Sequence, residues 1–526
     1  MKSYKKRWLT LSIKTFVIVA LLAVCDTSAF AGNSTVTAAQ IKDDMTVKAF
    51  RDYGQTSPTQ VKTRIGDLNF TEGGFAGGFP TLQTVSKLKD ELDFQRATQA
   101  YIWAIPLVSY GEWLVAHEET FKAKDGDIVQ YKTPQAKQGI LTANVTTPYA
   151  ISFADLTRTG ALVFDVPAGP SAGIINDMWQ RGIADFGVSG PDGDKGGKFL
   201  VIAPGMEVPE GVDEKQYHIV KNPTNVVFFG IRALQADAAV ADAMIKKFKI
   251  YSYDKRSNPE ENKFIEVGND LAWGQWQPHG MGYWKALKKI IDRENINKRD
   301  RFMVAMLDSL GFHKGKEFNP DERQQKILKE AAVVGEAMVK GLSFDSPFYD
   351  IKTYGDTHWD QLLVAAFDDR AEHFDQLFRR SALTYEAVSR GKAYYIEKPG
   401  LGQQYRSSYK DSDGQFLLGS KHYTLTMPVN PPAKTFWSVV VYDVNTRTPI
   451  LNPDWRSAVS SRTGVIADKD GSVTIHFSSE LPAGVNKENW IKTNKGESWF
   501  AYLRFYGPTE SYFDESYPLQ DIKLVK

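Results

Sequence analysis

The order of hydrophobic and polar positions divides the chain into blocks of different period. Leu88, Leu92, Gln95, Ala97, Ala100, Tyr101 and Ile105 recur roughly at helical spacing, which predicts a helix over 81–122 broken at Pro106. The period then shortens. Runs at 161–166, 199–203 and 226–231 are short, β-branched or aromatic, and bounded by Gly, Pro or Asn, so they read as strands. A helix is predicted over 233–249. Residues 256–400 return to helical spacing, with helices over 283–293, 320–340 and 358–390 and charges interspersed as on solvated faces. From Lys421 the pattern is β again, with strands over 423–427, 436–443, 472–477 and 499–506 separated by turns such as Asn430-Pro431-Pro432. Val473, Ile475 and Phe477 share one face and Thr474 and His476 the other, as in a half-buried antiparallel strand.

A β-rich, helical, β-rich order without regular strand–helix alternation argues against a TIM barrel or a doubly wound sheet. It predicts an α+β, β-rich chain of two antiparallel β-sandwiches joined by a helical segment. The expected units are a polar N-terminal arm over 32–90, a first sandwich with flanking helices over 91–255, a helical connector over 256–400 and a second sandwich over 401–526. The glycine-rich stretch from Gly73 to Pro80 fits neither dinucleotide nor P-loop spacing and reads as a turn before the first helix.

The first residues change the picture. Lys2, Lys5, Lys6 and Arg7 precede an apolar run from Phe16 to Val24, and Ala29-Phe30-Ala31 gives a small-x-small cleavage pattern. Residues 1–31 therefore read as a cleaved signal peptide, which predicts a periplasmic or secreted protein. The single cysteine, Cys25, follows Leu22-Ala23-Val24, half of a lipoprotein box. Val24 is bulkier than the residue such a box carries there, so an outer-membrane lipoprotein is the alternative. Cleavage after Ala31 leaves no thiol, and disulfides, thiolate catalysis and Cys-ligated metals drop out. No later segment approaches 18 apolar residues, so no transmembrane anchor is expected. Lys+Arg at 64 against Asp+Glu at 63 leaves no basic field for nucleic acid. The 12 Trp, 23 Tyr and 30 Phe suit a β-rich core or a stacking surface.

Candidate chemistry follows from local motifs. Gly169-Pro170-Ser171-Ala172-Gly173 matches G-x-S-x-G, but a nucleophile elbow needs a parallel strand before it and a helix after it, and the surroundings read as antiparallel. Residues 190–198 read as a hairpin loop leading into the strand at 199. No HExxH occurs. The best metal-like cluster is His358, Asp369 and His373, with the last two four apart on the predicted helix; its alternative is a solvated acidic face. Trp273, Trp276, His279, Tyr283 and Trp284 form either a stacking platform or a loop packed on the core. Asp177 beside Trp179 is either a carboxyl with raised pKa in an aromatic pocket, fit for acid–base work, or a capping residue beside a core ring. Alternation over 500–506 puts Tyr502, Arg504 and Tyr506 on one face, where the arginine either binds an anion or makes a structural ion pair.

Two sets of spaced residues carry a family likeness. Arg96-Ala97, Ala100-Tyr101, Trp103, Pro106, Asn144, Tyr149, Asp155-Leu156, Asp165-Val166-Pro167, Asp177, Trp179, Pro223-Thr224, Gly230 and Arg232 resemble domain of unknown function 1254. Asp413-Gly414-Gln415, Tyr423, Leu425, Pro431-Pro432, Phe436-Trp437-Ser438, Tyr442-Asp443, Asp470-Gly471-Ser472, Asn489-Trp490, Leu503-Arg504 and Tyr506 resemble domain of unknown function 1214. Many relatives carry Asn-Asp-Thr just before the motif tyrosine; here Asn144-Val145-Thr146-Thr147-Pro148-Tyr149 has no carboxylate. The resemblance implies an exported bacterial protein with two jelly-roll-like halves, as in capsid proteins, and a self-associated assembly such as a trimer. It implies no reaction, and no motif implies a cofactor. Two functions follow. One is an enzyme or binding protein for a small molecule or glycan at the inter-domain cleft, lined by Asn144, Tyr149, Trp179, Arg232, Trp437, Arg456 and Arg504, with Asp177 as acid or base. The other is a non-catalytic envelope or assembly protein.

Overall fold

A 34-residue helix, α1 (Leu82–Val115), is not broken at Pro106 but runs through it. Proline lacks the N–H that the Ile102 carbonyl would accept, a loss that costs a helix interior about 3 kcal/mol. Here the orphaned carbonyl is met from outside. Ser381 Oγ donates to Ile102 O at 2.6 Å, and Arg380 Nη2 donates to Trp103 O at 2.7 Å. Gln180 Nε2 donates to the carbonyl of Pro106 itself at 3.0 Å. The break predicted from the proline is thus repaired by residues far along the chain.

The computed structural model describes residues 57–235 and 237–526, which form two compact units, one ending at Lys89 and one beginning at Asp90. The predicted leader over 1–31 lies outside the described residues. In the first unit, a hairpin of β1 (Gln60–Thr63) and β2 (Gly66–Asn69) occupies part of what the sequence suggests is a plain arm.

The second unit is a mixed α/β assembly of mostly antiparallel sheets. Its first strands are β3 (Ile128–Tyr131), β4 (Tyr149–Asp155), β5 (Leu162–Val166), β6 (Ser171–Asp177), β7 (Gly182–Gly187), β8 (Gly197–Ile202), β9 (Tyr217–Lys221), β10 (Val226–Ala233), β11 (Lys249–Ser252) and β12 (Phe264–Glu266). They make a six-stranded sheet, β12-β3-β4-β10-β6-β7, and a four-stranded sheet, β11-β5-β8-β9. Later come β13 (Asp360–Gln361), β14 (Gln403–Ser408), β15 (Tyr423–Met427), β16 (Ala433–Asp443), β17 (Ala458–Ser460), β18 (Val473–Ser478), β19 (Trp490–Lys492), β20 (Trp499–Pro508) and β21 (Lys523–Leu524). They form a five-stranded sheet, β13-β14-β20-β16-β17, and a four-stranded sheet, β19-β18-β15-β21.

Period-two alternation decides which residues each sheet turns inward. Along β10, Val227, Phe229 and Ile231 pack with Phe164 and Phe199 of the four-stranded sheet. Val226 and Phe228 face the other way, onto Tyr110 and Trp113 of α1. Along β20, Ala501, Leu503 and Phe505 join Leu425, Ile475 and Phe477 in the second sandwich core. Phe500 and Tyr502 point away from it, into a cluster with Leu383. Each sandwich therefore keeps a second apolar face, and these faces meet α1, α3 (Met281–Arg293), α4 (Glu322–Phe344) and α5 (Leu377–Glu386) or each other, while α2 (Ala238–Ile245) packs into the first sandwich core.

The helix predicted over 358–390 is confined to α5. Trp359 is anchored in the second sandwich core, and Leu362 and Ala365 in the cluster with Leu383, so these apolar residues serve different neighbours and form no helical stripe. The loop at 190–198 joins β7 of one sheet to β8 of another and is not a hairpin. Ser171 opens the antiparallel strand β6, so the G-x-S-x-G stretch has no elbow geometry.

Candidate functional site

A cavity of about 100 Å³ lies between the six-stranded and five-stranded sheets. Its floor is the helix-facing side of the first sheet: Tyr149 and Ile151 of β4, Ala172 and Ile174 of β6, and Phe228 and Arg232 of β10. Its roof is the outward side of the second sheet, with Tyr405 of β14 and Tyr502 and Arg504 of β20. Leu383 of α5 and the segment after it close one side.

The lip at 140–149 ties the two halves together. Thr142 sits at φ 40°, a conformation a β-branched residue rarely adopts. It is held by its N–H donating to Arg447 O at 2.8 Å and by its carbonyl accepting from Arg504 Nη2 at 2.8 Å and Tyr442 Oη at 3.2 Å. Backbone outliers of this kind concentrate at functional sites. Asn144 Oδ1 accepts from the Thr146 N–H at 2.8 Å, and its Nδ2 donates to the Tyr506 hydroxyl. The Asn144 N–H donates to Tyr149 Oη at 2.8 Å. Asn144 thus aims Tyr149 into the cavity.

The charges are unbalanced. Among the residues lining the cavity there are two arginines and no carboxylate. Arg504 is 3% exposed, and its Nε and Nη1 have no hydrogen-bond partner. Its guanidinium lies among the rings of Tyr405, Tyr442 and Tyr502, at 5.3–5.7 Å from their centroids. Arg232 donates to Tyr394 Oη at 3.3 Å and lies 5.7 Å from the centre of the Tyr149 ring. Burial pushes the Tyr149 hydroxyl up to about 12 and raises Tyr405 and Tyr506 as well. These tyrosines are neutral at ordinary pH and cancel no positive charge, while a guanidinium cannot shed its proton. A third cation stands behind Tyr149: Lys137, whose ammonium is brought down to about 7 by burial and by Arg232.

Four of the residues expected to line a site meet here: Asn144, Tyr149, Arg232 and Arg504. The structure does not bring the others to them. Trp437 is on the sandwich-facing side of β16 and belongs to the second core. Trp179 packs tilted at 44° against Trp103, with ring centres 4.7 Å apart. Arg456 pairs with Glu488 at 3.1 Å. Asp177 is fully buried away from the cavity, where it pairs with Arg181 at 2.7 Å and accepts from the N–H groups of Trp179 and Arg181. That is the capping arrangement beside a core ring.

The metal-like trio is also dispersed. Asp369 precedes α5 and is clamped by Arg380 at 3.4 Å and by Arg390. Its Cα has a φ of 66°, so it shares no helical face with His373, which is exposed. His358 pairs with Asp521 at 3.0 Å. Among the described residues no three His, Cys, Asp or Glu side chains converge as a metal cage. Tyr283 and Trp284 of the aromatic segment are core residues. Tyr394 and Tyr405 escaped the sequence reading because β14 is mostly polar and the turn at 392–395 has no periodicity to mark it.

The chain carries two family segments in order. Residues 127–252 match the family described as Protein of unknown function (DUF1254), and residues 402–510 the family described as Protein of unknown function (DUF1214). The first supplies Asn144, Tyr149 and Arg232 to the cavity, and the second supplies Tyr405, Tyr502 and Arg504. No curated protein matches the chain. Among solved structures, the VPA0106 protein from Vibrio parahaemolyticus is 20% identical, over 82% of this chain and 100% of that one, with a TM-score of 0.47. An uncharacterized protein from Burkholderia cenocepacia is 12% identical, over 84% and 89%, with a TM-score of 0.37.

Proposed function

We propose that the protein binds a small organic anion with a flat or apolar body in the cavity between its two sheet pairs. The observation that carries this is a pair of guanidinium groups facing one apolar space with no carboxylate among its lining residues. A buried cation without a partner is costly, and an incoming carboxylate would remove that cost while gaining charge-assisted hydrogen bonds. The unpartnered Nε and Nη1 of Arg504 are the donors such a group would meet. Tyrosine and leucine walls favour a ring or short chain behind the charge. A neutral glycan would leave both positive charges unbalanced. We place the protein outside the cytoplasm, on the leader pattern at 1–31, and take its paired sheets to be jelly-roll-like; the intact mass of the purified mature chain tests the first of these.

The direct test is calorimetric titration with benzoate and, as the neutral isostere, benzamide. Saturable binding of benzoate, strongly preferred over benzamide and weakened by Arg232→Met, supports the reading. Equal or absent binding of the two ends it. A purely structural role for the arginines, as in an assembly protein, predicts no such charge discrimination.

A further inference from the structure

A second buried acid stands behind the cavity and outside the set of groups that line it. Glu386, the last residue of α5, is 3% exposed. One carboxyl oxygen accepts from the Tyr409 hydroxyl at 2.6 Å. The other is buried with no hydrogen-bond partner. The Tyr502 hydroxyl, also buried, lies against this carboxyl with no other partner and belongs to a residue that lines the cavity. Tyr409 lines two further spaces. One, of about 30 Å³, also touches Glu386 and shares Leu362 and Leu383 with the main cavity. The next, of about 280 Å³, is a polar groove reached through Ser346, Ile351, Asp360 and Tyr409. Cavity, Tyr502, Glu386, Tyr409 and groove thus follow one another.

The groups facing Glu386 are Ser343 of α4, Tyr385 of its own helix, Tyr409, Tyr502 and the Arg447 guanidinium. Arg447 is committed elsewhere, donating to Tyr385 O at 3.1 Å and to Gln277 Oε1 at 2.5 Å. Asp360 acts on Tyr409 from the groove side. Arg447 reaches Glu386 only through its field, and among the described residues no cation forms an ion pair with this carboxyl.

We propose that Glu386 is the proton-carrying group of the anion site, so that an anion is held in the cavity only while this carboxyl is protonated, with Tyr409 connecting it to the groove and Tyr502 to the ligand. The inference rests on the anion-binding reading given above. An ionised Glu386 would sit beside the ligand as a like charge in a medium of low dielectric, where such charges repel strongly. Burial is the main cause holding the Glu386 carboxyl up at about 8, with the hydroxyls of Tyr409 and Tyr502 pulling the other way.

The test titrates benzoate, anionic throughout, into the full chain between pH 7 and pH 9. Lys137 titrates nearby, so the comparison is made with Lys137→Met as background. There the apparent Kd should rise about tenfold from pH 7 to pH 9, the ratio expected when only the protonated form binds and the proton leaves at about 8. Adding Glu386→Gln, which keeps shape and neutrality, should flatten that rise. At pH 8.5, titration in buffers of different ionisation enthalpy should show proton uptake in Lys137→Met and none in the double variant. A flat profile in Lys137→Met, or a rise that survives Glu386→Gln, overturns the proposal while leaving the anion site standing. Absence of benzoate binding by the unaltered protein at every pH overturns both.

Discussion

Replacing Arg504 by methionine separates a binding role from a structural one by the sign of its effect on stability. Arg504 makes one hydrogen bond, to Thr142 O, and leaves Nε and Nη1 without partners. A charge-assisted hydrogen bond of this kind contributes about 1.5–3 kcal/mol. The carbonyl it leaves keeps only a share of the Tyr442 hydroxyl, which lies 3.2 Å from it and 2.9 Å from Ala143 O. Loss of cation–π contact with the three tyrosines removes roughly 1–2 kcal/mol more. Against this stands the desolvation penalty of a buried, unpaired guanidinium, several kcal/mol, which methionine removes while filling most of the volume. The opposing terms nearly cancel, so Arg504→Met should change unfolding free energy by no more than about 2 kcal/mol in either direction. Binding of benzoate should fall by about 2–5 kcal/mol, that is, 30-fold or more. The assay is urea unfolding of both proteins with and without saturating benzoate, alongside calorimetry. Benzoate should raise the midpoint of the unaltered protein and leave that of Arg504→Met unmoved. Destabilisation well beyond 3 kcal/mol, with no effect of benzoate on the parent, would refute the reasoning, because the arginine would then be a structural pillar.

Further outcomes follow from the groups around the site. Ser381→Ala should cost about 1–2 kcal/mol by orphaning Ile102 O, and the loss should largely vanish beside Pro106→Ala, which restores the helical donor; a double-mutant cycle by chemical denaturation measures this coupling. Asp369→Ala should destabilise by about 3–5 kcal/mol, since it strands Arg380 and Arg390 in the interior. Burial favours a neutral Asp369, but Arg390 and Arg380 outweigh it and hold the carboxyl below its ordinary 3.8. Its share of stability is therefore complete above that value and is lost as pH falls through the lower, folded one, which acid unfolding of the parent against Asp369→Asn resolves. Burial holds the His117 ring down at about 3, against 6.5 in the open chain. The unfolded chain takes up the proton first, so stability should fall on acidification from about pH 6.5 toward 3, and His117→Gln should flatten that slope in pH-dependent urea titrations.

What the sequence made legible here is what alternation controls. Strand β15 occupies the residues expected of it, and the division of β20 into a core face and a Tyr502–Arg504–Tyr506 face follows from period two alone. The same rule carried Arg232 and Tyr149 to one side of their sheet, although nothing local says that this side meets β20. That meeting depends on contacts more than 250 residues apart, such as Asn144 with Tyr506 and Thr142 with Arg504, which no window along the chain contains. The misplaced candidates fail for the same reason. Trp437 and Arg504 both lie in strands of apolar character, and one residue of parity separates a core ring from a cavity charge. Asp177 could be read as an acid only while Arg181, four residues on, was not weighed as its partner. The helix expected over 358–390 shows the converse: its apolar residues are real anchors, but Trp359 serves one face of the five-stranded sheet and Leu362 and Ala365 the other, so spacing suggested a stripe where there are separate points of attachment. Buried polar residues were thus sound guides to where the chain does something costly. Only the carboxylate partner, absent for Arg504 and present for Asp177, separates the unbalanced charge on which the anion-site proposal rests from an internal ion pair already complete.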